Sequence, residues 1–224
     1  MKRNVPALFF VIACLLNWAG RIWAIPELAA AVKPALLPLL SASVLAYAVN
    51  RRLDKRKLTL LVTAELFGCV GDTCLLSDAF PLFAGGIGAF LIGHLFYIAI
   101  FGKESWKGMG WKGWTAGLVV MLGLVFGLVK LLRISGTLLA PMAVYGFVLT
   151  LLMFSTFCGL IRLRDKGTWA LLFAGAVIFT CSDALIAAGT FGVLDFALRE
   201  FVIMFTYLIA QVLLAVGAVR LAKH

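Results

Sequence analysis

Eight long apolar stretches occupy most of the chain and constrain its fold more than any other feature. They cover residues 5–25, 33–49, 58–77, 80–101, 114–132, 138–163, 169–190 and 199–221. A bilayer core holds no water to bond irregular backbone groups, so apolar segments of this length cross it as helices. We therefore predict an all-α integral membrane protein, a bundle of eight transmembrane helices.

Composition supports one membrane domain rather than an anchored soluble one. Hydrophobic residues make up 63% of the chain and charged residues 13%, and the mean hydropathy is +1.07. A soluble domain is closer to half apolar and a quarter charged. Residues 1–224 are predicted to form a single transmembrane domain. We also consider a four-plus-four helix pseudo-repeat, about 1–112 and 113–224, with convergent placement of two aspartates as the alternative.

The basic residues report on topology. The net charge is +10, but the Lys and Arg residues sit in short loops between apolar stretches, so we exclude a nucleic-acid partner. Fifteen of the twenty lie on the side that would hold both termini. The positive-inside rule then predicts cytoplasmic N- and C-termini in a bacterial inner (cell) membrane. The five cysteines lie within apolar stretches without metal-ligand spacing, and no metal site is predicted.

Ionisable side chains interrupt the apolar stretches at a few places. Each costs about 2.5–3.5 kcal/mol near the middle of a membrane helix, so such residues face a bundle interior or a wet cavity and mark a site. Glu65 and Asp72 share one face of the predicted third helix, and His94 and Tyr97 share one face of the fourth. A short turn makes these two helices antiparallel neighbours, so we expect the four side chains to converge.

Further polar residues lie at similar depths in other predicted helices. They are Asn17 and Arg21 in the first helix, Lys33 at the start of the second, Asp183 in the seventh, and Tyr207 with Gln211 in the eighth. We expect a cavity in the outer half or centre of the bundle. It would hold two carboxylates and would have two cations at its mouth.

Each of these residues also has a structural interpretation. A single aspartate can pair with a cation to lock helices together, and His94 can be a hydrogen-bonded structural histidine. Glu65 can form a salt bridge toward the basic loop 51–57. The combination of Asp72 with Asp183 favours chemistry. Two buried carboxylates cannot easily both ionise, so one would keep its proton beside an ionised partner, an arrangement suited to acid/base catalysis.

An ordered set of short motifs resembles the YhhN/lysoplasmalogenase family of membrane proteins. The set covers most of the chain, and the predicted helices have the same order and count. Its members are Lys33-Pro34, Glu65, Gly71-Asp72, the stretch from Phe83-Ala84-Gly85-Gly86 through Phe90, Gly93-His94 and Tyr97, then Ser182-Asp183, and Thr206-Tyr207 with Gln211.

The resemblance implies hydrolysis of the vinyl ether bond of a lysoplasmalogen, a lysophospholipid-like ether lipid. The products would be a fatty aldehyde and a glycerophospho-ethanolamine or -choline. Asp72 and Asp183 would be the catalytic pair, and Lys33 and Arg21 would bind the substrate phosphate. The supporting residues would be Asn17, Glu65, His94, Tyr97, Tyr207 and Gln211. The reaction requires no metal or organic cofactor, and the partners would be the lysophospholipid substrate and membrane lipids.

Two other functions compete with this one. The first is a non-enzymatic lipid or small-molecule transporter or binding protein, in which the aspartate pair would serve as a proton relay. The second is a structural membrane subunit whose charged residues only lock helices together. The sequence leaves the oligomeric state and the identity of the proton-donating aspartate open.

Overall fold

The computed structural model describes residues 4–77 and 79–223, and within them the chain forms eight helices. They are α1 (Val5–Ile22), α2 (Pro26–Ala48), α3 (Lys55–Cys74), α4 (Phe80–Ser105), α5 (Trp111–Leu131), α6 (Gly136–Arg162), α7 (Lys166–Thr190) and α8 (Arg199–Leu221). Each matches one predicted apolar stretch. The prediction of an all-α chain of eight helices is confirmed.

Seven of these eight helices are long and apolar enough to cross a membrane. The exception is α3, which has 20 residues but carries three basic residues in its first turn and Glu65 and Asp72 further along. These charges lower its hydropathy below that of a membrane span. The prediction of eight spans therefore holds for seven helices, and membrane crossing by α3 stays a prediction. The cytoplasmic position of both termini also stays a prediction.

Two compact units make up the chain. The first comprises Met1–Ile100 and Ala215–His224, and the second comprises Phe101–Leu214. The chain passes from one unit to the other within α4 and again within α8. The predicted repeat boundary near residue 112 does not coincide with either crossing. The single domain and the pseudo-repeat stay predictions.

In the first unit, α1 packs against α2, and α2 packs against α3. Helix α2 has an internal break, because a 3-10 turn at Lys33–Ala35 separates the α-helical segments Pro26–Val32 and Leu36–Ala48. Pro34 lies within this turn and has no N–H to donate to a regular α-helical bond. The break places this part of α2 directly against α3.

Small residues bring α3 and α4 close together. A Cβ on Gly71 would lie 2.7 Å from the Phe90 ring, and a Cβ on Gly93 would lie 3.0 Å from the Ala64 carbonyl oxygen. Glycine at these two positions therefore allows a helix approach that a larger residue would block. The predicted antiparallel neighbours are in contact.

The end of α8 is tied to the start of α3. The Asp54 side chain caps α3 by accepting from the backbone N–H groups of Arg56 and Lys57, at 2.8 and 3.3 Å. The Asp54 N–H donates to the Ala222 carbonyl at 2.8 Å, and Lys57 Nζ donates to the Leu221 carbonyl at 2.7 Å. These bonds satisfy carbonyl groups that a helix end leaves open.

In the second unit, α6 packs against both α5 and α7. The Phe154 ring lies over Gly117 of α5, and the Trp169 ring lies over Gly159 of α6, each where a Cβ would clash. Arg162 at the end of α6 donates to the carbonyls of Ser105 and Lys107, at 2.6 and 2.9 Å. This guanidinium holds the loop that leads into α5.

Candidate functional site

A buried ion pair joins the break in α2 to the far half of α3. Lys33 Nζ lies 3.5 Å from Asp72 Oδ1, and the two side chains are 9% and 4% exposed. An ionised carboxylate and an ammonium are stable in such surroundings only when each compensates the other. Both residues belong to the predicted site, but the prediction had Lys33 at the cavity mouth. In the structure Lys33 is buried and lies against Asp72.

A second buried carboxyl lies two turns before Asp72 on the same face of α3. The Ser41 hydroxyl donates a short hydrogen bond to Glu65 Oε2, and both residues are buried. Glu65 Oε1 is buried with no hydrogen-bond partner among the described residues. Glu65 does not form the salt bridge toward the loop 51–57 that was the structural alternative. Its carboxyl bonds to Ser41 of α2 instead. We name Lys33, Ser41, Glu65 and Asp72 the α2–α3 polar cluster.

The 3-10 turn is bonded to α3 by a thiol as well. Cys69 Sγ donates to the Pro34 carbonyl at 3.2 Å. Cys69 lies between Glu65 and Asp72 on α3, so the bond fixes the turn beside both carboxyl groups. This contact explains how an irregular piece of backbone is satisfied within an apolar helix pair.

Asn17 and Arg21 connect α1 to the start of α2. The Asn17 amide is fully buried and donates to the Ala29 carbonyl at 2.9 Å, while Arg21 Nε donates to Asn17 Oδ1 at 3.3 Å. A Cβ on Gly20 would lie 2.8 Å from the Ala29 backbone nitrogen, so the two helices meet closely here. Asn17 therefore orients the half-buried guanidinium of Arg21.

His94 and Tyr97 lie on a buried face of α4, as their spacing predicts. His94 Nδ1 lies 2.6 Å from the Phe90 carbonyl oxygen. A carbonyl oxygen only accepts, so the proton of this hydrogen bond lies on Nδ1. Tyr97 is 2% exposed and interacts electrostatically with Glu65. The first unit thus brings Tyr97 and Glu65 into one neighbourhood.

Asp183 has a partner that the sequence analysis missed. The Tyr145 hydroxyl of α6 donates a short hydrogen bond to Asp183 Oδ2. Asp183 is half-buried and, with Tyr145 and Thr180, lines a cavity of about 50 Å³ whose other walls are apolar. We name Asp183, Tyr145 and Thr180 the Asp183 cluster. A carboxyl group in this position borders an apolar space.

Ser182 fixes the neighbouring side of α7. Its buried hydroxyl donates to the Ile203 carbonyl of α8 at 2.9 Å. Tyr207 packs edge-on against Phe179, with ring centroids 5.5 Å apart. Gln211 is buried one turn further along α8. Both Tyr207 and Gln211 are therefore buried.

The residues that the sequence analysis missed are Ser41, Cys69 and Tyr145. Their partners Glu65, Pro34 and Asp183 are 24, 35 and 38 residues away, so no short spacing connects them. The sequence carries only a weak indication of these residues. A hydroxyl or thiol inside an apolar stretch needs a partner, which identifies the residue without identifying its partner.

The two aspartates of the predicted catalytic pair lie in different units. Asp72 belongs to the first unit and Asp183 to the second. Their convergence stays a prediction. Among the described residues no group of three His, Cys, Asp or Glu side chains is arranged to hold a metal ion.

Seven long apolar helices with ionisable side chains buried among them define a multi-pass integral membrane protein. The sequence profile of the YhhN family matches residues 28–218, which includes both aspartates and seven of the eight helices in full or large part. The chain belongs to the YhhN family, and the resemblance inferred from its motifs is confirmed.

Curated relatives share this region at moderate identity. The chain is 30% identical over 164 residues to lysoplasmalogenase TMEM86B of Mus musculus and 32% identical over 161 residues to lysoplasmalogenase TMEM86B of Homo sapiens. Each alignment covers 72% of this chain and 64% of the relative, so the matched part is less than two thirds of those proteins. No solved structure matches the chain.

Proposed function

We propose that this chain is a membrane hydrolase that cleaves the vinyl ether bond of a lysoplasmalogen. Family membership and relatives named lysoplasmalogenase support this activity. The observation that carries the proposal is the buried ion pair of Asp72 and Lys33, a charged group kept inside an apolar helix pair at a cost in desolvation. Such a group marks a site.

The chemistry requires a proton and a negative charge. Protonation of the outer alkene carbon converts the vinyl ether to an oxocarbenium ion. Water adds to the carbon bonded to the ether oxygen, and the resulting hemiacetal collapses. One water molecule is consumed, and a fatty aldehyde and the glycerol hydroxyl are formed. Proton transfer to carbon is slow, so the acid must be held in position, and a nearby carboxylate stabilises the cation.

The separate surroundings of the two aspartates support different roles for them. The Lys33 ammonium 3.5 Å away stabilises negative charge on Asp72, so we assign the ionised role to Asp72. If the pair shares one proton, Asp183 then holds it and is the general acid. Tyr145 is the positioning residue for Asp183, because its hydroxyl bonds to Oδ2 and leaves Oδ1 to carry the proton.

The polar residues of α1 supply a candidate for phosphate binding. Lys33 is engaged with Asp72, so in this proposal its main role is to hold that carboxylate. Arg21 is half-buried at the end of α1 and oriented by Asn17, and its guanidinium suits a phosphate oxygen pair. Glu65, His94, Tyr97, Tyr207 and Gln211 retain supporting roles in shaping the polar interior.

The decisive test is aldehyde release by the purified full-length protein in detergent micelles. The substrate is a 1-alkenyl lysophospholipid, and the matched control is the 1-alkyl lysophospholipid of the same chain length. The alkyl ether has no alkene carbon to protonate. We expect aldehyde from the first lipid and no product from the second. A folded protein that releases no aldehyde would overturn the proposal and favour the transporter or structural alternatives, because micelles permit hydrolysis but no transport.

A further inference from the structure

A groove in the first unit lies between α2 and α8 and is lined by none of the polar residues assigned to hydrolysis. It has a volume of about 380 Å³ and runs between the C-terminal halves of α2 and α8. Ligand pockets typically occupy about 300–1,000 Å³. Leu40, Val44 and Val216 line its apolar part, while Tyr47, Arg220 and Lys223 line the end near the helix termini.

Two cations lie over the aromatic ring at this end, and a third lines the groove beside them. Arg51 Cζ lies 4.0 Å from the centroid of the Tyr47 ring, and Lys223 Nζ lies 5.8 Å from the same centroid. Arg220 is exposed and belongs to the groove wall. Within residues 4–77 and 79–223, no carboxylate forms an ion pair with any of the three. Like charges gathered around one ring repel each other, so this end of the groove attracts an anion.

We propose that this groove binds an anionic phospholipid of the surrounding bilayer. The lipid phosphate lies against Tyr47, Arg220 and Lys223, where charge-assisted hydrogen bonds are available. One acyl chain lies along Leu40, Val44 and Val216, where burial of its methylene groups is favourable. The site uses none of the residues assigned to hydrolysis, so it is independent of the proposed function.

A simpler explanation accounts for part of the pattern. Cations near the C-terminus of α8 interact favourably with the helix dipole, and basic residues collect on the cytoplasmic side of membrane proteins. Neither effect requires an apolar groove that ends at the cations. The combination of an apolar floor and an anion-attracting rim fits an amphiphile, and a free phosphate ion would leave the floor unfilled.

Native mass spectrometry of the full-length protein tests the site. The probes are phosphatidylglycerol and phosphatidylcholine with identical acyl chains. We expect at least about tenfold stronger retention of phosphatidylglycerol, since each basic residue near an anionic lipid contributes appreciably. The double variant Arg220→Gln, Lys223→Gln should lose this preference. The matched control Arg52→Gln replaces an exposed arginine of the basic loop 51–57 that does not line the groove, and it should keep the preference.

Two outcomes would overturn the electrostatic part of the proposal. One is equal retention of the two lipids by the unaltered protein. The other is an equal loss in Arg52→Gln and in the double variant, which would mean diffuse attraction to the whole basic face. Because all three substituted residues are exposed, the variants should fold, and circular dichroism should show unchanged helix content.

A further variant tests the apolar part. Val216 is 40% exposed at the groove, so Val216→Trp should fill it without removing a charge. We expect this variant to lose bound phosphatidylglycerol while keeping the melting temperature of the lipid-free protein. Unchanged lipid binding would show that the groove is not occupied. Displacement of the lipid by glycerophosphoglycerol alone would show recognition of a phosphate rather than a lipid.

Discussion

Lys33 and Asp72 form a buried ion pair across α2 and α3, with Nζ and Oδ1 3.5 Å apart. Loss of one partner leaves the other charge uncompensated, which typically costs roughly 3–5 kcal/mol of unfolding free energy. We expect Lys33→Met to lose about this much unfolding free energy. The double variant Lys33→Met, Asp72→Asn should recover a large part of the loss. Unfolding in mixed micelles, followed by tryptophan fluorescence, measures both.

The control for this cycle is Lys55→Met, which removes an exposed lysine from the start of α3. Surface substitutions typically change stability by less than about 0.5 kcal/mol. A Lys33→Met variant as stable as Lys55→Met would mean that the pair contributes little to holding α2 and α3 together.

The aspartates are the basis of the second prediction. Asn has the volume of Asp but carries neither the proton nor the charge. Asp72→Asn and Asp183→Asn should each reduce kcat for aldehyde release by orders of magnitude, when activity is divided by the folded fraction. Because the two act as a unit in our proposal, the double variant should be little worse than the poorer single variant. Asp195→Asn, at an exposed loop position, is the matched control.

The pH dependence of the same reaction follows from this pair. A protonated acid and an ionised carboxylate should give a bell-shaped profile of kcat/KM, and its limbs belong to the coupled pair rather than to either residue. Near-normal specific activity in either Asn variant would remove the pair from the mechanism. If the carboxylates only lock helices together, stability should fall while turnover of the folded fraction persists.

Tyr145 offers a test that leaves both aspartates in place. Tyr145→Phe keeps the ring and removes the hydroxyl that bonds to Asp183. A hydrogen bond to a protonated, uncharged carboxyl is typically worth about 0.5–1.5 kcal/mol, so kcat should fall about two- to tenfold. A positioning role also predicts a changed shape of the pH profile with KM nearly unchanged. An unaltered pH profile at reduced stability would indicate a structural contact alone.

Arg21 is predicted to bind the substrate phosphate. A contact made equally in the ground state and the transition state changes KM more than kcat. Arg21→Gln should therefore raise KM for the alkenyl lysophospholipid with kcat largely retained. Asn17→Ala, which removes the group that orients Arg21, should raise KM in the same direction but less. If neither variant changes KM, the phosphate is bound elsewhere.

The last prediction concerns the membrane topology. The excess of Lys and Arg on one side predicts that a reporter fused after His224 is cytoplasmic. A cysteine at the exposed position Asp195 should react with a membrane-impermeant reagent added from outside, after the native cysteines are replaced. A C-terminus found outside would contradict the eight-span topology with both termini in the cytoplasm.

Most of the fold was predictable because lipid limits the options. An apolar stretch of about 20 residues has to form a helix in a bilayer, so the eight helices follow from length and polarity. Helix α3 shows where this reasoning is weakest, since its charged residues make it less apolar than a typical span. The buried face that carries Glu65 and Asp72 was also predictable, because residues seven apart lie on one side of a helix.

The sequence by itself determined the helices, their order and the identity of the buried ionisable residues Glu65, Asp72 and His94. Only the tertiary structure decided the partners: Lys33 for Asp72, Ser41 for Glu65 and Tyr145 for Asp183. Helical periodicity gives the face on which a side chain lies, but it does not tell which neighbouring helix that face meets. The 3-10 turn at Lys33–Ala35 illustrates the reason, because this local break in α2 turns a lysine predicted at the cavity mouth toward a buried aspartate.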